Sequence, residues 1–208
     1  WNMTIQRELP FNSVLEIGYL ANIGHKLGGP DVNINMIPLV NGQGPANQSQ
    51  TARRFPHYNN VMLKSPSWGN SAYHALNLRL EKRYSAGLIF LTNYTWSKFL
   101  DDVESATELG GEANNGYTHV ELRRLDRAYS GNDIRHRWVA SSVYELPWGR
   151  GRRFPVENPV LNGIIGGWGL GVILEARTGS PYGIVEQLNL TNTFSHGQRP
   201  NRVCDQTL

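Results

Sequence analysis

The sequence has almost no cysteine and no long hydrophobic run. Cys204 is the one cysteine among 208 residues, which excludes an internal disulfide framework and any thiolate-rich zinc or iron–sulfur site. Even the apolar stretch at residues 88–94 is interrupted by Thr92 and Asn93, whereas a membrane-spanning helix needs about 20 mainly apolar residues in succession. The sequence therefore excludes helical membrane spans.

A strong excess of one charge is also lacking. Twenty Lys and Arg residues face 17 Asp and Glu residues for a net charge of +3, and the tight basic cluster is Arg150, Arg152 and Arg153. Without a basic stripe, we expect no nucleic-acid partner. Trp1 begins the sequence with neither a charged nor an apolar leader region, so we expect any targeting signal to lie outside it and the segment to be part of a longer protein.

Six segments alternate apolar and polar residues, which is typical of strands with one apolar and one polar face. Hydrophobic residues reach only 39%, while 22 Gly and 11 Pro favour turns over long helices. The six predicted strands are residues 1–9, 15–22, 72–83, 88–96, 137–146 and 167–177. The first two are separated by a short turn, which predicts a tight hairpin.

The third and fourth segments are predicted to pair across a three-residue loop at residues 85–87. The proposed register sets the following residues opposite one another: Tyr84 and Leu88, Leu80 and Thr92, Leu78 and Tyr94, Leu76 and Trp96. Both apolar sets then lie on one face of the sheet, because side chains alternate along a strand.

The connections between the predicted strands alternate between short and long. Residues 23–70 and 99–131 are long, polar and irregular, whereas the intervening turns are short, as in outer-membrane barrels. The polar face carries charges in mid-strand, which suits a hydrated interior: Glu16, Arg79, Glu81, Arg137, Glu175 and Arg177. We predict an all-β fold, namely an antiparallel up-and-down transmembrane β-barrel segment of about six strands of a larger barrel, with long extracellular loops.

The tryptophans also favour a membrane barrel. Those at positions 1, 96 and 138 lie at the long-loop ends of the predicted strands and that at 68 just before one, while those at 148 and 168 flank the connection at the short-turn end. Tyr84, Tyr94 and Tyr144 lie near strand ends too. Aromatic girdles of this kind mark the two headgroup layers. The alternative is a soluble or secreted all-β binding module, such as a glycan-binding sandwich, whose apolar faces meet in a core.

Several motifs in these strands resemble a known family. They are Trp-Asn-Met-Thr-Ile-Gln-Arg-Glu-Leu-Pro at residues 1–10, Tyr-His-Ala-Leu-Asn-Leu-Arg-Leu-Glu-Lys-Arg-Tyr at 73–84, Asn-Tyr-Thr-Trp-Ser-Lys at 93–98, Asp-Ile-Arg-His-Arg-Trp-Val at 133–139, Tyr-Glu-Leu-Pro-Trp-Gly-Arg-Gly at 144–151 and Gly-Gly-Trp at 166–168. In combination they resemble the barrel of TonB-dependent outer-membrane receptors, specifically the Oar-like branch.

The resemblance implies that residues 1–208 are part of a receptor barrel domain in the bacterial outer membrane and that they include no plug domain. Its implied partners are outer-membrane lipid and lipopolysaccharide, an unknown imported ligand, and the TonB complex, reached through the missing N-terminal plug. A TonB-contacting box, an N-terminal carboxypeptidase-regulatory-like domain and a terminal aromatic residue are not found in these residues either. Six strands cannot close a barrel, since bacterial barrels have at least about 8. A non-transporting outer-membrane adhesin with the same barrel is a further alternative.

Three groups of residues are weighed as possible sites. Residues 135–137 (Arg-His-Arg) are either a phosphate or lipopolysaccharide cluster or an interfacial group whose long side chains reach the headgroups. Asp101, Asp102 and Glu104 are either calcium ligands or a solvated acidic loop, and they lack the spacing of a calcium loop. The glycines at 166, 167, 169 and 171 enter a strand rather than a helix, so we expect a close approach of a plug or loop, not a nucleotide.

The long loops are expected to select the ligand. Polar and aromatic residues there have the chemistry to bind glycans, peptides or metal chelates: Asn47, Gln48, His57, Tyr58, Asn114, Asn115 and Tyr117. Long polar loops are general in such barrels, so no binding residue is assigned. The six histidines are dispersed and no serine has the context of a nucleophile elbow. We expect no enzyme activity, no catalytic residues, no metal site and no cofactor.

Overall fold

The computed structural model describes residues 1–29, 31–41, 43–103, 117–182 and 192–194. The chain divides into two compact units. The first, called here the sheet unit, consists of Trp1–Ala21, Tyr73–Lys98 and Ile134–Gly179, and the second, the loop unit, of Asn22–Ala72, Phe99–Asp133 and Ser180–Leu208.

Nine strands lie in the described residues. They are β1 (Asn2–Leu9), β2 (Ser13–Leu27), β3 (Val32–Asn33), β4 (Met62–Leu63), β5 (Gly69–Ser85), β6 (Leu88–Asp101), β7 (Ala128–Tyr129), β8 (His136–Glu145) and β9 (Gly169–Arg177). The long strands follow the order β1-β2-β5-β6-β8-β9 in one sheet, and β7 pairs with β6. The predicted all-β, up-and-down arrangement of six long strands is confirmed.

The described helices are short. They are α1 (Pro159–Ile165) and two 3-10 helices, Gln50–Ala52 and Arg123–Asp126. None of the helices in the described ranges has the length and apolar character to cross a bilayer. Helix α1 lies in the connection between β8 and β9 and was not predicted from the sequence.

Three strands are longer than predicted, at the expense of the two long loops. β2 continues to Leu27 and β5 begins at Gly69, so the first loop is residues 28–68. β6 continues to Asp101, where it pairs with Ala128 of β7. The extensions were missed because they lack apolar–polar alternation, whereas strand pairing requires only backbone hydrogen bonds.

The structure leaves two residues between β5 and β6, where the sequence predicted a three-residue loop. β5 ends at Ser85 and β6 begins at Leu88, and both residues between them have positive φ, 53° for Ala86 and 82° for Gly87. Two positive φ values in succession are the signature of the type I′ turn, whose twist matches that of the strands. The strand bounds thus differ from the prediction by one residue at this turn, whereas the predicted sharing of faces is kept further along the strands.

The parity predicted for this hairpin is confirmed further along the strands. Thr95 Oγ1 donates a hydrogen bond of 2.8 Å to Asn77 Oδ1, so the odd-numbered residues of β5 and β6 share a face. In the β6–β8–β9 register, Thr92 lies opposite Ala140 and Ala140 opposite Leu174. The even-numbered residues of these strands therefore form the other face.

That second face, called here the apolar face, is largely exposed. On β1 and β2 it carries Met3, Ile5, Ile17 and Tyr19, and on β6, β8 and β9 it carries Leu88, Phe90, Tyr94, Trp138, Tyr144, Leu170, Val172 and Leu174. Ile5 is 58% exposed and Leu174 is 51% exposed. No second layer covers the apolar side chains within the described part of the sheet unit, which a soluble sandwich would require.

The loop unit has a compact core of its own. Its buried apolar residues are Val32, Met36, Ile37 and Tyr117, and its buried polar residues are Asn33, Asn35, Arg53, Asp101, His119, Asp126, Ser130, Asp133 and Thr193. Strand β3 pairs with β4 within this unit. The two regions predicted to be irregular thus contain a folded unit whose interior is mainly polar.

Candidate functional site

The face of the sheet opposite the apolar face carries mid-strand charges. Arg137 Nε donates to Glu175 Oε1 across β8 and β9 at 3.1 Å, and Arg79 Nη2 donates to Glu81 Oε2 along β5 at 2.9 Å. All four side chains are partly exposed. We call this the polar face, and the partial exposure of its ion pairs avoids the desolvation cost of a fully buried pair.

The polar face is not charged throughout. Ile89 lies opposite Val143 near the short-turn end of β6 and β8, and Ile173, in the middle of β9, lies opposite Ser141. Ile173 is 81% exposed. The polar face therefore combines apolar side chains with the charged pair of Arg137 and Glu175.

Two tyrosine–histidine pairs repeat the same geometry on the apolar face. Tyr19 Oη lies 2.7 Å from His74 Nδ1, and the ring centroids are 6.2 Å apart. Tyr94 Oη lies 2.8 Å from His136 Nδ1, with centroids 6.1 Å apart. The hydroxyl and the ring nitrogen of each pair satisfy one another, which allows both polar groups to lie among apolar side chains.

The aromatic residues follow the predicted girdle only in part. Trp1 precedes β1, and Trp138 is the third residue of β8, where its Nε1 donates to Thr92 Oγ1 at 2.7 Å. Trp96 lies within β6 rather than at its end, because β6 is longer than predicted. Trp68 directly precedes β5, as predicted, and its ring centroid is 6.2 Å from that of Tyr117 within the loop unit.

The Arg135–His136–Arg137 cluster is divided by strand alternation. His136 contacts Tyr94 on the apolar face, whereas Arg137 pairs with Glu175 on the polar face. The carbonyl of Arg135 accepts from the Ser97 amide at 3.0 Å. The side chains of His136 and Arg137 therefore do not belong to one cluster, and of the two alternatives for this group the phosphate or lipopolysaccharide site is not assembled.

The acidic group in the second long loop is not a solvated loop. Asp101 is buried at the end of β6, and Asp102 accepts from the backbone N–H of Asn70 at 2.6 Å and from its Nδ2 at 3.1 Å. Glu104 lies outside the described residues. Within the described ranges, no three His, Cys, Asp or Glu side chains are grouped as a metal site would need. Asp102 instead fixes the start of β5.

The four glycines of residues 166–171 have different structural roles. Gly166 caps helix α1, and a Cβ there would lie 2.6 Å from Asn162 Oδ1. Gly167 has a φ of 75°, a conformation that favours glycine. Gly169 and Gly171 belong to β9. The segment leaves a helix and enters a strand, which is not the arrangement of a phosphate-binding loop; the expected close approach of a plug or loop stays a prediction.

The loop residues considered for ligand selection differ in their exposure to solvent. Asn47, Gln48, His57 and Tyr58 are exposed, whereas Tyr117 is buried. Asn114 and Asn115 lie outside the described residues. Four of the seven are therefore available at the surface of the loop unit, and Tyr117 is a core residue.

Tyr117 forms an aromatic cluster with a cation. The guanidinium carbon of Arg123 lies 4.4 Å from the centroid of the Trp68 ring and 5.6 Å from that of Tyr117. Burial raises the pKa of the Tyr117 hydroxyl, and the charge of Asp102 raises it further. This cation–π arrangement stabilises the loop unit from within.

Asn35 organises the polar core of the loop unit. Its Nδ2 is within 2.7–3.0 Å of the carbonyl oxygens of Phe55, Tyr58 and Asn59, and its Oδ1 accepts from the Phe55 amide at 2.7 Å. The side chain is fully buried. An amide in this position satisfies backbone groups that have no strand or helix partner.

Arg53 is buried beside Asn35 and pairs with carbonyls rather than with a carboxylate among the described residues. Its Nη1 donates to Asn59 O at 2.6 Å and to Asn60 Oδ1 at 3.1 Å, and its guanidinium carbon lies 3.5 Å from the Phe194 ring centroid. Burial lowers its pKa. This charge, Asn35 and His119, whose Nε2 lies 3.1 Å from Ile37 O, were not identified from the sequence.

One sequence signal pointed to this polar core. Asn33 and Asn35 alternate with Val32, Ile34 and Met36, which is the pattern of a strand with two buried faces when the polar residues are amides. Strand β3 itself covers only Val32–Asn33, and Asn33 joins the polar core through its Oδ1, which accepts from the amides of Asn35 and Val61 at 3.0 and 3.2 Å. Nothing in the sequence marks Arg53 as buried.

The comparisons with known proteins agree with this geometry. The family model described as "Outer membrane beta barrel domain" matches residues 1–208. The comparisons with curated proteins and with solved structures give no match.

Proposed function

The chain belongs to the outer membrane β-barrel domain family, and we propose that it forms part of the barrel wall of a TonB-dependent receptor that binds and imports a ligand. In the bacterial outer membrane, the exposed apolar face contacts lipid and the polar face lines the interior, as alternation in such barrels requires. The six long strands form one section of this wall, since a closed barrel needs at least about 8 strands.

The observation that carries the proposal is the charged polar face. The Arg137–Glu175 pair joins neighbouring strands on the side opposite the lipid, and the charged Glu16 shares that side. Small barrels fill their interior with side chains, whereas large ones enclose water or a plug. Partly exposed interior charges favour a wide, hydrated barrel, and wide barrels with up to about 22 strands are those of plugged transporters.

The motifs that resemble TonB-dependent receptors support the finer part of the proposal. Several of them occupy positions where strands begin or end. Asp133 Oδ1, for instance, accepts from the Phe99 amide at 2.7 Å, and Glu145 Oε2 accepts from Tyr84 Oη at 2.9 Å and Arg152 Nη1 at 2.5 Å. In the proposed receptor these residues maintain the barrel, while the long loops select the ligand.

The proposal is tested by uptake in living cells. Three strains are compared in a complex medium: one carrying the protein, one from which it is deleted, and one that carries it but lacks TonB. Mass spectrometry of the spent medium identifies compounds depleted by the first strain alone, and such a compound would support TonB-dependent import.

Two other outcomes would contradict import through TonB. Depletion that persists without TonB would indicate a passive channel. Depletion of no compound, together with loss of attachment to surfaces in the deletion strain, would indicate the non-transporting adhesin.

A further inference from the structure

The connection between β8 and β9, residues 146–168, exposes an unusual set of side chains. Its aromatic residues Trp148, Phe154 and Trp168 are exposed. It also contains helix α1 and three arginines, Arg150, Arg152 and Arg153. The connection lies at the end of the sheet formed by the short turns, because β8 ends and β9 begins there. Barrels of this kind place their short turns on the periplasmic side.

Helix α1 has one apolar face, and that face is exposed. Asn158 caps the helix by accepting from the amides of Val160 and Leu161. At 100° per residue, the apolar side chains at 160, 161, 164 and 165 occupy one side of the helix, and Asn162 and Gly163 occupy the other. Val160 is 71% exposed and Ile164 is 61% exposed.

The orientation of α1 is fixed by hydrogen bonds on its polar side and at its end. Asn162 Oδ1 accepts from the Arg150 amide at 3.0 Å, and Trp168 Nε1 donates to the Ile164 carbonyl at 2.7 Å. The Leu146 amide donates to the Trp168 carbonyl at 2.9 Å. These hydrogen bonds therefore hold α1 in an orientation that exposes its apolar side.

The apolar surface of the connection is continuous with the lipid-contacting face of the sheet. Trp168 directly precedes β9 and has the same parity as Leu170 and Val172, which lie on the apolar face. Trp168 in turn holds Ile164 through its indole N–H. The surface that contacts lipid along β9 thus extends onto α1.

The arginines supply charge complementary to a phospholipid headgroup. Arg152 pairs with Glu145, and hydrogen bonds to that carboxylate raise the pKa of Arg152. Arg150 and Arg153 have no carboxylate within ion-pair distance among the described residues. Their guanidinium groups are exposed and match the bidentate geometry of a phosphate.

We propose that residues 146–168 are an interfacial membrane anchor, in which the apolar side of α1 lies at the acyl boundary of the periplasmic leaflet and Arg150 and Arg153 bind the phosphates of anionic glycerophospholipids. A helix with one apolar and one polar side and nearby basic and aromatic residues has this preference for the interface. The inference depends on the position in the outer membrane and not on transport, so the uptake experiment and the following one fail independently.

The test uses the protein purified from outer membranes and reconstituted in vesicles of phosphatidylcholine and phosphatidylglycerol. In a Cys204→Ser background, one fluorophore is attached at Ile164→Cys, on the apolar side of α1. The matched control is Gly163→Cys, because a Cβ at Gly163 meets nothing within 4 Å and points to the other side of the helix. We expect spin-labelled lipids to quench the probe at 164 several-fold more strongly than the probe at 163, and aqueous iodide to do the reverse.

Two results would overturn the anchor. Equal quenching of both probes by iodide, with none by lipid, would place the connection in water. Protection of the probe at 164 from both quenchers would indicate that a protein, either a partner or a second copy of this chain, covers α1 instead.

The role of the arginines is tested separately by headgroup preference. We expect spin-labelled phosphatidylglycerol to quench the probe at 164 more strongly than spin-labelled phosphatidylcholine, and the double variant Arg150→Gln/Arg153→Gln to lose this preference. Near an anionic surface each Arg contributes on the order of a fivefold preference. Arg150→Lys/Arg153→Lys retains the charge and should retain most of the preference. An unchanged preference in the Gln variant would refute headgroup binding by these residues.

Discussion

The two units of this chain differ in which side chains they expose and which they bury. In the sheet unit, large apolar residues such as Ile5 and Trp138 are exposed, whereas in the loop unit Asn35 and Arg53 are buried. The difference follows from the surroundings of each unit. A sheet whose outer face contacts lipid gains nothing by hiding apolar groups from water, while a unit made largely of irregular segments has many backbone groups to satisfy.

The largest effect is expected from the loss of Asn35, at the centre of the polar core of the loop unit. Asn35→Ala deletes an amide that pairs with four backbone groups of Phe55, Tyr58 and Asn59. Buried groups left without partners cost about 1–3 kcal/mol each, so we expect the loop unit to lose on the order of 3–5 kcal/mol. Hydrogen exchange of residues 53–61 measures this loss.

The matched control for Asn35→Ala is Asn47→Ala, because Asn47 is exposed. The control should leave exchange unchanged. The heat-modifiable gel mobility typical of a folded barrel should persist in both variants. Equal exchange in Asn35→Ala and the wild type would show that the polar core does not stabilise the loop unit.

Two adjacent substitutions in β9 compare the two faces of the sheet unit directly. Leu174 lies on the apolar face and Ile173 on the polar face of β9. We expect Leu174→Arg to destabilise the barrel by about 2–4 kcal/mol, as for Arg facing lipid near the middle of the bilayer. Ile173→Arg should cost far less, since its side chain points to the hydrated side.

Urea unfolding of the protein in lipid vesicles, followed by tryptophan fluorescence, measures both variants. Equal destabilisation by the two substitutions would contradict the assignment of the faces, because the chemical change is the same and the positions differ only in parity.

The smallest expected effect is a pH dependence confined to the loop unit. A hydrogen bond from Lys64 and another from the Ser65 amide hold the pKa of Asp31 below its usual value of 3.8. Because the folded-state pKa is lowered, the stabilisation is fully present above pH 3.8 and is lost as the pH falls through the folded-state value. Proteolysis of the loop unit between pH 6 and pH 3 should reveal this loss in the wild type and not in Asp31→Asn. An equal response of both proteins would refute it.

Sequence patterns predicted the strands in which each side chain faces either lipid or water. The alternation in residues 137–146 and 167–177 predicted β8 and β9 to within two residues at either end, because a strand between lipid and water must change polarity at each step. Helix α1 had a signal that was not used, namely Asn158 and Pro159 followed by apolar residues at helical spacing.

The candidate site was less predictable because its chemistry depends on contacts between distant segments. Tyr117 looked like a ligand-binding aromatic in a polar loop, yet it packs against Trp68 and Arg123. Asp102 looked like a metal ligand or a solvated charge, yet it binds Asn70. In neither case does local sequence differ from that of an exposed loop, since the partner lies tens of residues away.

The amino-acid sequence by itself determined the architecture of the sheet, because parity alone assigns a side chain to one face, and the polarity of that face must match lipid or water. Only the tertiary structure decided which polar residues are buried in the loop unit, how the Arg135–His136–Arg137 group is divided, and that α1 presents its apolar side outward. Burial of an amide or a guanidinium is tolerated only when specific backbone groups converge on it, and that convergence is a property of the folded chain.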